Sequence, residues 1–292
     1  MEWHPVDEAF EAVHGRYWEA TPVHAADCTF TNLYGWAGEY RLQWSEFGGL
    51  LFLGSFGDGP APDSWWMPLG DWDLADWGAV LGMLPPGCVW ERVPERLCAQ
   101  LAALCGKGVR VEETPEQWEY VYEQQALAAL RGNKLHRKKN HVNAFVKQYG
   151  VDYRELGPED AEAIEGFLRQ WMAQRQEVSE ALLAEYRVQQ RILRLWPRCP
   201  FLKSAGLFVE GAMAAFSMGE PLDAETMVVH FEKGLAAYRG VYQAMNMFFA
   251  ARAGAGFAFI NREQDAGEEG LRAAKQSYYP CAFVRKNRVV FS

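Results

Sequence analysis

Two acidic residues and an amide follow an apolar run near the carboxyl end of the chain in an alternating pattern. Asn261, Glu263 and Asp265 come directly after the segment FAFIN, whose apolar and aromatic residues predict a buried strand. If the backbone stays extended past Asn261, the three side chains point to one side. Carboxylates in such a place can take a proton from a nucleophile or bind an ammonium group. The pattern therefore predicts a polar site at the end of this strand.

A second polar pair precedes this segment in the chain. His230 and Glu232 lie on one side of the strand predicted for TMVVHFEKG, and they are second candidates for a catalytic base. A purely local interpretation of the first group stays open, because Asn261 and Asp265 are residue types that satisfy turn amides. Arg272 likewise lies four residues after Glu268, at the spacing of a helical ion pair.

Strands and helices alternate around these residues. The spacing predicts strands over 226–234 and 257–261, followed by helices over 241–254 and 270–279. This order is typical of parallel strands, which bind ligands beyond their carboxyl ends. On the last helix, Leu271, Ala274 and Tyr278 are expected to face the core, with Arg272, Lys275, Gln276 and Tyr279 on the opposite face.

Positive charge is concentrated in one segment of an acidic chain. The net charge is −9, yet residues 124–151 contain six basic residues and no acidic ones. The segment RGNKLHRKKNHVNAFVKQYG predicts a helix with Leu135, Val142, Val146 and Tyr149 as its core stripe. Its basic face is either a solvated surface or a binding surface for phosphate groups. Because the charge is local, it suits one anionic group better than a long nucleic-acid track.

Composition restricts the class of protein. With 292 residues and 49% apolar residues, the chain is long enough for one large domain or two ordinary ones. No run of about 18 apolar residues predicts a membrane span, and the first residues lack the pattern of a signal peptide, so a cytoplasmic location is expected. The six cysteines form no CxxC pair, and no metal site is predicted; Cys98 and Cys105 are expected in a helix.

The first half predicts an aromatic-rich antiparallel sheet. The segments TFTNLYGW, EYRLQW and GGLLFLGSFG are expected to be its strands, and FVRKNRVVFS is expected to close the chain as a pair of strands around Lys286 and Asn287. The many tryptophans favour a packed sheet face, with an aromatic cage for a cationic substrate as the alternative. The chain is expected to divide into lobes 1–150 and 151–292.

Three segments carry a resemblance to a known family. LRGNKLHRKKNHVNAFVKQYG, HFEKGLAAYRGVYQAMNMFFA and FINREQDAGEEGLRAAKQSYYP together resemble the phosphatidylglycerol lysyltransferase C-terminal domain family, which is related to the Fem aminoacyltransferases. The resemblance implies an α/β fold with mixed sheets, built as two tandem GNAT-like acyltransferase lobes. It also implies a soluble enzyme that moves an aminoacyl group from the acceptor end of a charged tRNA to an amine or hydroxyl of a small molecule, peptide or lipid. No permanently bound cofactor is implied.

The resemblance also assigns site residues. Asn261, Glu263, Asp265, Arg272 and Lys275 match the family's NxExD and GLRxAK patterns, and Lys134, Arg137, Lys138 and Asn143 match its basic helix, which is expected to bind the nucleic acid. The expected catalytic residues are Glu263, Asp265 and Asn261, with Glu232 and His230 as alternatives. The expected substrate-binding residues are Arg272, Lys275, Arg239, Gln243 and Asn246.

Two other functions stay open. A GNAT-fold acyltransferase that uses acetyl-CoA or another acyl-CoA needs small residues in the loop before a helix, so that the pyrophosphate can reach backbone amides. Here that loop is AAYRGVYQA, in which Tyr242 occupies the place of a second small residue. A Tyr242 ring that fills the cleft would disfavour acyl-CoA. A non-catalytic binding module would instead leave the carboxylates after Asn261 spread into solvent.

Overall fold

A computed structural model describes all 292 residues, which form two compact units with one seven-stranded sheet each. The first unit contains Met1–Glu119, Gln264–Glu268 and Val284–Ser292. The second contains Tyr120–Glu263 and Glu269–Phe283. The chain thus passes between the units at Glu119, rather than near residue 150 as the sequence predicted, and it returns twice to the first unit.

The first unit combines a mixed sheet with four helices. Its elements are β1 (His4–Pro5), α1 (Phe10–Trp18), α2 (Phe30–Trp36), β2 (Leu42–Phe47), β3 (Leu50–Ser55), β4 (Ser64–Trp66), α3 (Trp77–Met83), β5 (Val89–Pro94), α4 (Glu95–Cys105), β6 (Val109–Glu113) and the final strand β14 (Lys286–Phe291). The strand order is β1-β2-β3-β4-β5-β14-β6, with β4 and β5 parallel and the other pairs antiparallel.

Aromatic rings fill the core of this first unit, as the tryptophan-rich sequence favoured. Trp72, Trp90 and Phe52 are fully buried, and the rings of Phe52 and Trp90 pack edge to face with centroids 5.8 Å apart. One predicted strand is wrong: TFTNLYGW forms helix α2. The cause is local, since the side chain of Thr29 accepts a hydrogen bond of 3.2 Å from the backbone N–H of Asn32 and caps the helix.

A group of buried charges lies inside the first unit. The fully buried Lys286 donates through Nζ to Oε1 of Glu119 at 2.8 Å and to a carboxylate oxygen of Asp27. Arg92 donates through Nε to the other Asp27 oxygen at 3.2 Å. Burial alone would raise the pKa of Asp27, but Lys286 and Arg92 lower it overall, so the aspartate is ionised. These charges hold the final strand β14 in the first sheet.

The second unit has a seven-stranded sheet covered by helices. Its elements are β7 (Glu119–Glu123), α5 (Gln124–Ala129), α6 (His136–Tyr149), β8 (Asp152–Leu156), α7 (Ala161–Ala173), α8 (Glu180–Leu195), β9 (Lys203–Val209), β10 (Ala212–Pro221), β11 (Thr226–Gly234), α9 (Val241–Arg252), β12 (Phe259–Asn261), α10 (Glu269–Gln276) and β13 (Ala282–Val284). The strand order is β13-β7-β12-β11-β10-β9-β8.

The two sheets correct one prediction about the chain terminus and confirm the fold class. The last segment does not form a pair of strands, because β13 joins the second sheet and β14 the first. The basic segment forms helix α6, whose residues Val142 and Phe145 are buried in the core of the second unit. The predicted α/β class with mixed sheets is confirmed. None of the helices combines the length and the apolar character that crossing a membrane requires.

Candidate active site

Strands β11 and β12 pair in parallel, as the sequence predicted, and then separate. The pairing runs from Thr226 opposite Phe259 to Val228 opposite Asn261, where β12 ends. Strand β11 continues to Gly234. His230 and Glu232 therefore lie on β11 beyond the last paired residue, where side chains rather than backbone bonds connect the two segments. Such a strand end is where α/β sheets bind ligands.

The backbone of Glu263 is fixed in an unusual conformation just after β12. Its φ of 55° lies in the left-handed region, which a residue with a side chain adopts at a cost of roughly 1–3 kcal/mol. Asn261 Oδ1 accepts a hydrogen bond from the Glu263 N–H at 2.8 Å. The Glu263 carbonyl accepts from Lys275 Nζ at 3.0 Å and from the Tyr120 N–H at 3.2 Å. Three neighbours thus hold Glu263 in place.

The side chain of Glu263 belongs to a buried chain of three titratable groups. Its Oε1 lies 2.7 Å from Nδ1 of His230, and Nε2 of His230 lies 2.8 Å from Oε1 of Glu220 on β10. The His230 ring is completely buried, whereas the Glu263 side chain is 19% exposed. Burial alone would lower the pKa of His230, but the hydrogen bonds that the ring donates to Glu220 and Glu263 raise it to about 10. The ring is therefore a cation between two carboxylates.

This arrangement predicts a pH-dependent contribution to stability. The pKa of His230 rises from 6.5 to about 10 on folding, so its contribution is full below pH 6.5 and is lost as the pH rises toward 10. Wild type is expected to exceed His230→Gln in free energy of unfolding by a few kcal/mol at pH 6, with a smaller gap at pH 9. Urea unfolding of both proteins at several pH values measures this. A difference in free energy of unfolding between the two proteins that stays constant or widens as the pH rises would contradict a charged His230.

Glu232 is the centre of a second polar group. Its Oε1 accepts from Arg262 Nη2 at 3.1 Å and its Oε2 accepts from Asn246 Nδ2 at 3.2 Å, which brings together two predicted site residues and one that was not predicted. The Arg262 guanidinium lies 5.1 Å from the Tyr278 ring centroid, and Lys138 Nζ lies 4.3 Å from the same centroid. Burial and the charge of Arg262 lower the pKa of Lys138. The cations outnumber the carboxylate, so the group suits an anionic ligand.

The buried face of helix α10 differs from the prediction. Leu271 is exposed, and so is Ala274, whereas Lys275 is buried together with Tyr278. Lys275 is buried because its Nζ donates hydrogen bonds to the backbone carbonyls of Arg262, at 2.6 Å, and Glu263. These carbonyls follow the end of β12, and burying them without partners would be costly. The structure therefore places Lys275 as a support for the Glu263 backbone.

Asp265 lies in the first unit, where its Oδ1 accepts from the Gly267 N–H at 2.9 Å. This contact is of the local kind that the sequence left open for Asp265. Among the predicted substrate-binding residues, Arg239 is exposed, while Gln243 on α9 and Arg272 on α10 are half-buried.

The basic helix presents most of its predicted residues to solvent. Arg137 and Asn143 are exposed on α6, and the exposed Lys134 lies just before it with Nζ 5.2 Å from the Tyr279 ring centroid. Leu135 and Val142 are buried, as the core stripe predicted. The exposed side chains are accessible to an anionic partner, whereas Lys138 is held over Tyr278.

The start of helix α9 is covered by protein. Gly240 has φ of 88°, and a Cβ built on it would lie 2.5 Å from the carbonyl oxygen of His141 on α6. The Tyr242 hydroxyl accepts from Trp171 Nε1 at 3.0 Å, and its ring packs beside Gly234. Helix α6 and Tyr242 thus pack closely around the start of α9, the part of an acyl-CoA enzyme whose backbone amides receive a pyrophosphate.

Gly240→Ala tests this close packing. Gly256→Ala is the matched control, because Gly256 has φ of 95° but no heavy atom within 4 Å of a built Cβ. Both changes introduce backbone strain, and only Gly240→Ala adds a clash with a backbone carbonyl. Gly240→Ala is expected to lose about 1–3 kcal/mol more in free energy of unfolding than Gly256→Ala, measured by denaturant titration. Equal losses would show that α6 does not press on Gly240.

Two residues of this site were not predicted, although the sequence held a signal for one of them. Glu220 ends the apolar run AMAAFSMG, and a carboxylate that a strand pattern buries needs a partner. The partner, His230, is one of the predicted residues. Arg262 was overlooked because it alternates with the predicted Asn261 and Glu263, so an extended strand would point it away from them. The left-handed turn at Glu263 interrupts that extended path.

The two mixed α/β units and the separating parallel strands are those of the GNAT-like acyltransferase fold. The chain matches the family described as phosphatidylglycerol lysyltransferase, C-terminal, over residues 19–287, and it belongs to that family. An uncharacterized protein of Mycoplasmoides gallisepticum is 25% identical over 173 residues, which are 57% of this chain and 54% of that protein. The match thus spans about half the length of this curated relative.

Solved structures show the same fold over the whole chain. A conserved protein of unknown function from Bacteroides thetaiotaomicron is 26% identical, with a TM-score of 0.89 and full coverage of both chains. L-PGS from Bacillus licheniformis is 13% identical, with a TM-score of 0.65 over 99% of this chain and 92% of that one. FemX is 9% identical, with a TM-score of 0.64 over 100% of this chain and 98% of that one. Because L-PGS and FemX are only 13% and 9% identical to this chain, their similarity shows a shared fold and nothing more.

Proposed function

We propose that this protein is an aminoacyltransferase, which moves an aminoacyl group from a charged tRNA to an amine or hydroxyl acceptor. Membership of the phosphatidylglycerol lysyltransferase C-terminal family supports a transferase, and the fold shared with L-PGS and FemX is consistent with it. The proposal requires access to charged tRNA and hence the cytoplasmic location predicted from the sequence. The acceptor is a small molecule, a peptide or a lipid.

The observation that carries the proposal is the fixed carboxylate of Glu263. Its backbone is held on both sides of the residue, and one carboxylate oxygen is engaged by His230. The side chain is still partly exposed, so a substrate can reach it. A carboxylate that is fixed before substrate arrives loses little free energy to reorganisation during the reaction. Glu263 is thus the residue best placed to act on a substrate.

The reaction itself requires few groups. The acceptor nitrogen or oxygen attacks the ester carbonyl of the aminoacyl-tRNA, a new amide or ester bond forms, and the ester bond to the terminal ribose breaks. The proton of the acceptor finally resides on the released ribose oxygen. Glu263 either receives that proton on its way or binds the ammonium of the aminoacyl group, and Glu232 is the second candidate for the base.

The basic residues of the second unit form the surface that is proposed to bind the tRNA of the aminoacyl donor. Lys134 and Arg137 are exposed, so these side chains can neutralise phosphates near the acceptor end of a tRNA. A binding surface of this kind gives affinity that falls as salt increases. A non-catalytic module, by contrast, would leave the carboxylates after Asn261 in solvent, but Glu263 is mostly buried and Asp265 is completely buried.

The packing at Gly240 disfavours the acyl-CoA alternative. In such an enzyme the amides at the start of the helix bind the pyrophosphate, and close approach of a phosphate requires open space. Here the His141 carbonyl and the Tyr242 ring lie at that helix start. An acyl-CoA could bind only after α6 moves, whereas a charged tRNA needs no such site.

Parallel assays of the two donors test the proposal. The purified chain is incubated with a pool of tRNAs charged with labelled amino acids, and separately with labelled acetyl-CoA. A dialysed small-molecule extract and mixed lipid vesicles serve as sources of acceptor. The proposal expects acceptor-dependent loss of charged tRNA and no loss of acetyl-CoA beyond the protein-free rate. If the protein consumes acetyl-CoA and does not consume charged tRNA, the acyl-CoA alternative would replace the proposed function.

A further inference from the structure

We propose that His230 and Glu220 are positioning residues for Glu263, which they hold by a carboxylate–imidazolium–carboxylate chain that itself never touches substrate. The effect that this inference expects on the reaction rate rests on the proposed function. The structural role of His230 and Glu220 does not depend on that function. It assigns a role to Glu220, which was not among the residues predicted from the sequence, and it replaces the role of catalytic base that the sequence allowed for His230.

The geometry places the three groups in a line from the core to the surface. Glu220 lies on β10, opposite Val228 of the neighbouring strand β11, and His230 follows on β11 two residues later. The carboxylate of Glu220 is nearly buried, the His230 ring has no exposed surface, and Glu263 alone is partly exposed. A substrate can therefore reach Glu263 but not the ring. His230 can act on a reaction only through Glu263.

Both ring nitrogens are occupied, which decides what His230 can do. Nδ1 lies 2.7 Å from one carboxylate and Nε2 lies 2.8 Å from the other, so a ring protonated on both nitrogens satisfies both contacts. Such a ring has no lone pair with which to accept a proton. A neutral ring would leave one nitrogen lone pair facing a carboxylate, which is repulsive in a buried place. The ring therefore holds the two carboxylates in place and does not act as a base.

The charges around the chain of groups support this state. Two carboxylates and one imidazolium leave one net negative charge. From α10, the ammonium of Lys275 contacts the Glu263 carbonyl, and from the end of β12 the Arg262 guanidinium contacts Glu232. The His230 ring is a cation that lies 2.7 Å from the Glu263 carboxylate. Removal of the ring should change the position of the Glu263 side chain while its backbone stays anchored.

Nuclear magnetic resonance of the intact chain tests the structural part. In protein with 15N-labelled histidine, the His230 signals are those lost in His230→Gln, since the other five histidines remain. We expect both ring nitrogens to carry protons at pH 8. A ring that titrates near pH 6.5, or that is singly protonated at pH 8, would overturn the inference whether or not the protein transfers aminoacyl groups.

The positioning of Glu263 has its own readout. In protein with 13C-labelled glutamate carboxyls, the Glu263 signal is the one lost in Glu263→Gln. Removing the ring in His230→Gln is expected to shift that signal, whereas His4→Gln, in the first unit, should leave it unchanged. If His230→Gln does not fold, Glu220→Gln replaces it, because it retains an oxygen acceptor and removes only the charge. An unmoved Glu263 signal in the folded variant would overturn the positioning role.

Kinetics separate this inference from the proposed function. If the protein consumes charged tRNA, His230→Gln is expected to lower kcat by about 100-fold, as a displaced reacting group does, and to leave KM for charged tRNA within about twofold. His4→Gln should match wild type. Unchanged kcat in His230→Gln would overturn the positioning role even with a charged ring. If wild type consumes no charged tRNA, the proposed function fails, and the two resonance experiments alone decide this inference.

Discussion

Glu263→Gln is expected to lower the rate of aminoacyl transfer by about 100- to 10,000-fold, which is the range for loss of a positioned proton-transfer group. Glutamine fills nearly the same volume, so the Asn261 and Lys275 contacts to the backbone at residue 263 can persist. The change removes the negative charge that faces both His230 and the substrate. Because the carboxylate is fixed in advance, its loss acts on the transition state more than on binding of the tRNA.

Single-turnover transfer and tRNA binding are the measurements for this variant. The rate constant should fall while the dissociation constant for charged tRNA changes by less than about threefold, since the basic residues contact the phosphates. Glu162→Gln, an exposed position on α7, is the matched control and should transfer at the wild-type rate. A rate for Glu263→Gln within threefold of wild type would show that this carboxylate does not take part.

Lys286→Met is expected to destabilise the protein by about 3–5 kcal/mol, the cost of leaving buried charges without a partner. Lys286 is completely buried and bonds both Asp27 and Glu119, which lie 259 and 167 residues away in the sequence. Methionine preserves most of the side-chain volume, so the loss reports charge rather than packing. Arg92 still faces Asp27 in the variant, but Glu119 loses the ammonium of Lys286.

Urea unfolding followed by tryptophan fluorescence measures this loss. Arg288→Met is the matched control on the same strand, because Arg288 pairs with Glu91 at 2.8 Å but is half exposed. It should cost less than about 1 kcal/mol. Adding Glu119→Gln to Lys286→Met should recover part of the loss, since it removes the uncompensated charge. A loss for Lys286→Met no larger than that for Arg288→Met would mean that the buried charges do not hold β14.

Local patterns in the sequence were sufficient for most of the second unit. The alternation of TMVVHFEKG is a short-range signal, and it correctly predicted β11. The parallel pairing of β11 and β12 followed from the helix between them. Hydrophobic spacing was therefore a good guide wherever one face of an element is apolar and the other is not.

Elements with buried polar residues were predicted less well. Apolar spacing put Leu271 toward the core, yet the carbonyls beyond β12 required Lys275 there instead. The first unit shows the same limit, since nothing in FVRKNRVVFS indicates that Lys286 meets acids from the other end of the chain. A polar residue in a core is explained by its partner, and its partner can lie anywhere in the sequence.

The contacts within the candidate site were not predicted. His230, Glu232 and Glu263 were chosen as polar residues near strand ends and Asn246 as a substrate-binding residue, and the structure joins them in two groups. The contact between His230 and Glu263 was not predictable, because the two residues are 33 positions apart in the sequence. In addition, Glu263 itself adopts a left-handed backbone conformation, which the extended pattern did not indicate. Asn261 was expected to act on substrate, and it bonds the backbone of Glu263.

Single-turnover tracing of the aminoacyl group tests the central claim most directly. The chain is placed in excess over a pool of tRNAs charged with 14C-labelled amino acids, with small-molecule extract and lipid vesicles as acceptors, and the label is followed by fraction. The proposed function predicts that label leaves tRNA faster than without protein and appears covalently joined to an acceptor. Label that stays on tRNA at the protein-free rate, with every acceptor source, would contradict it.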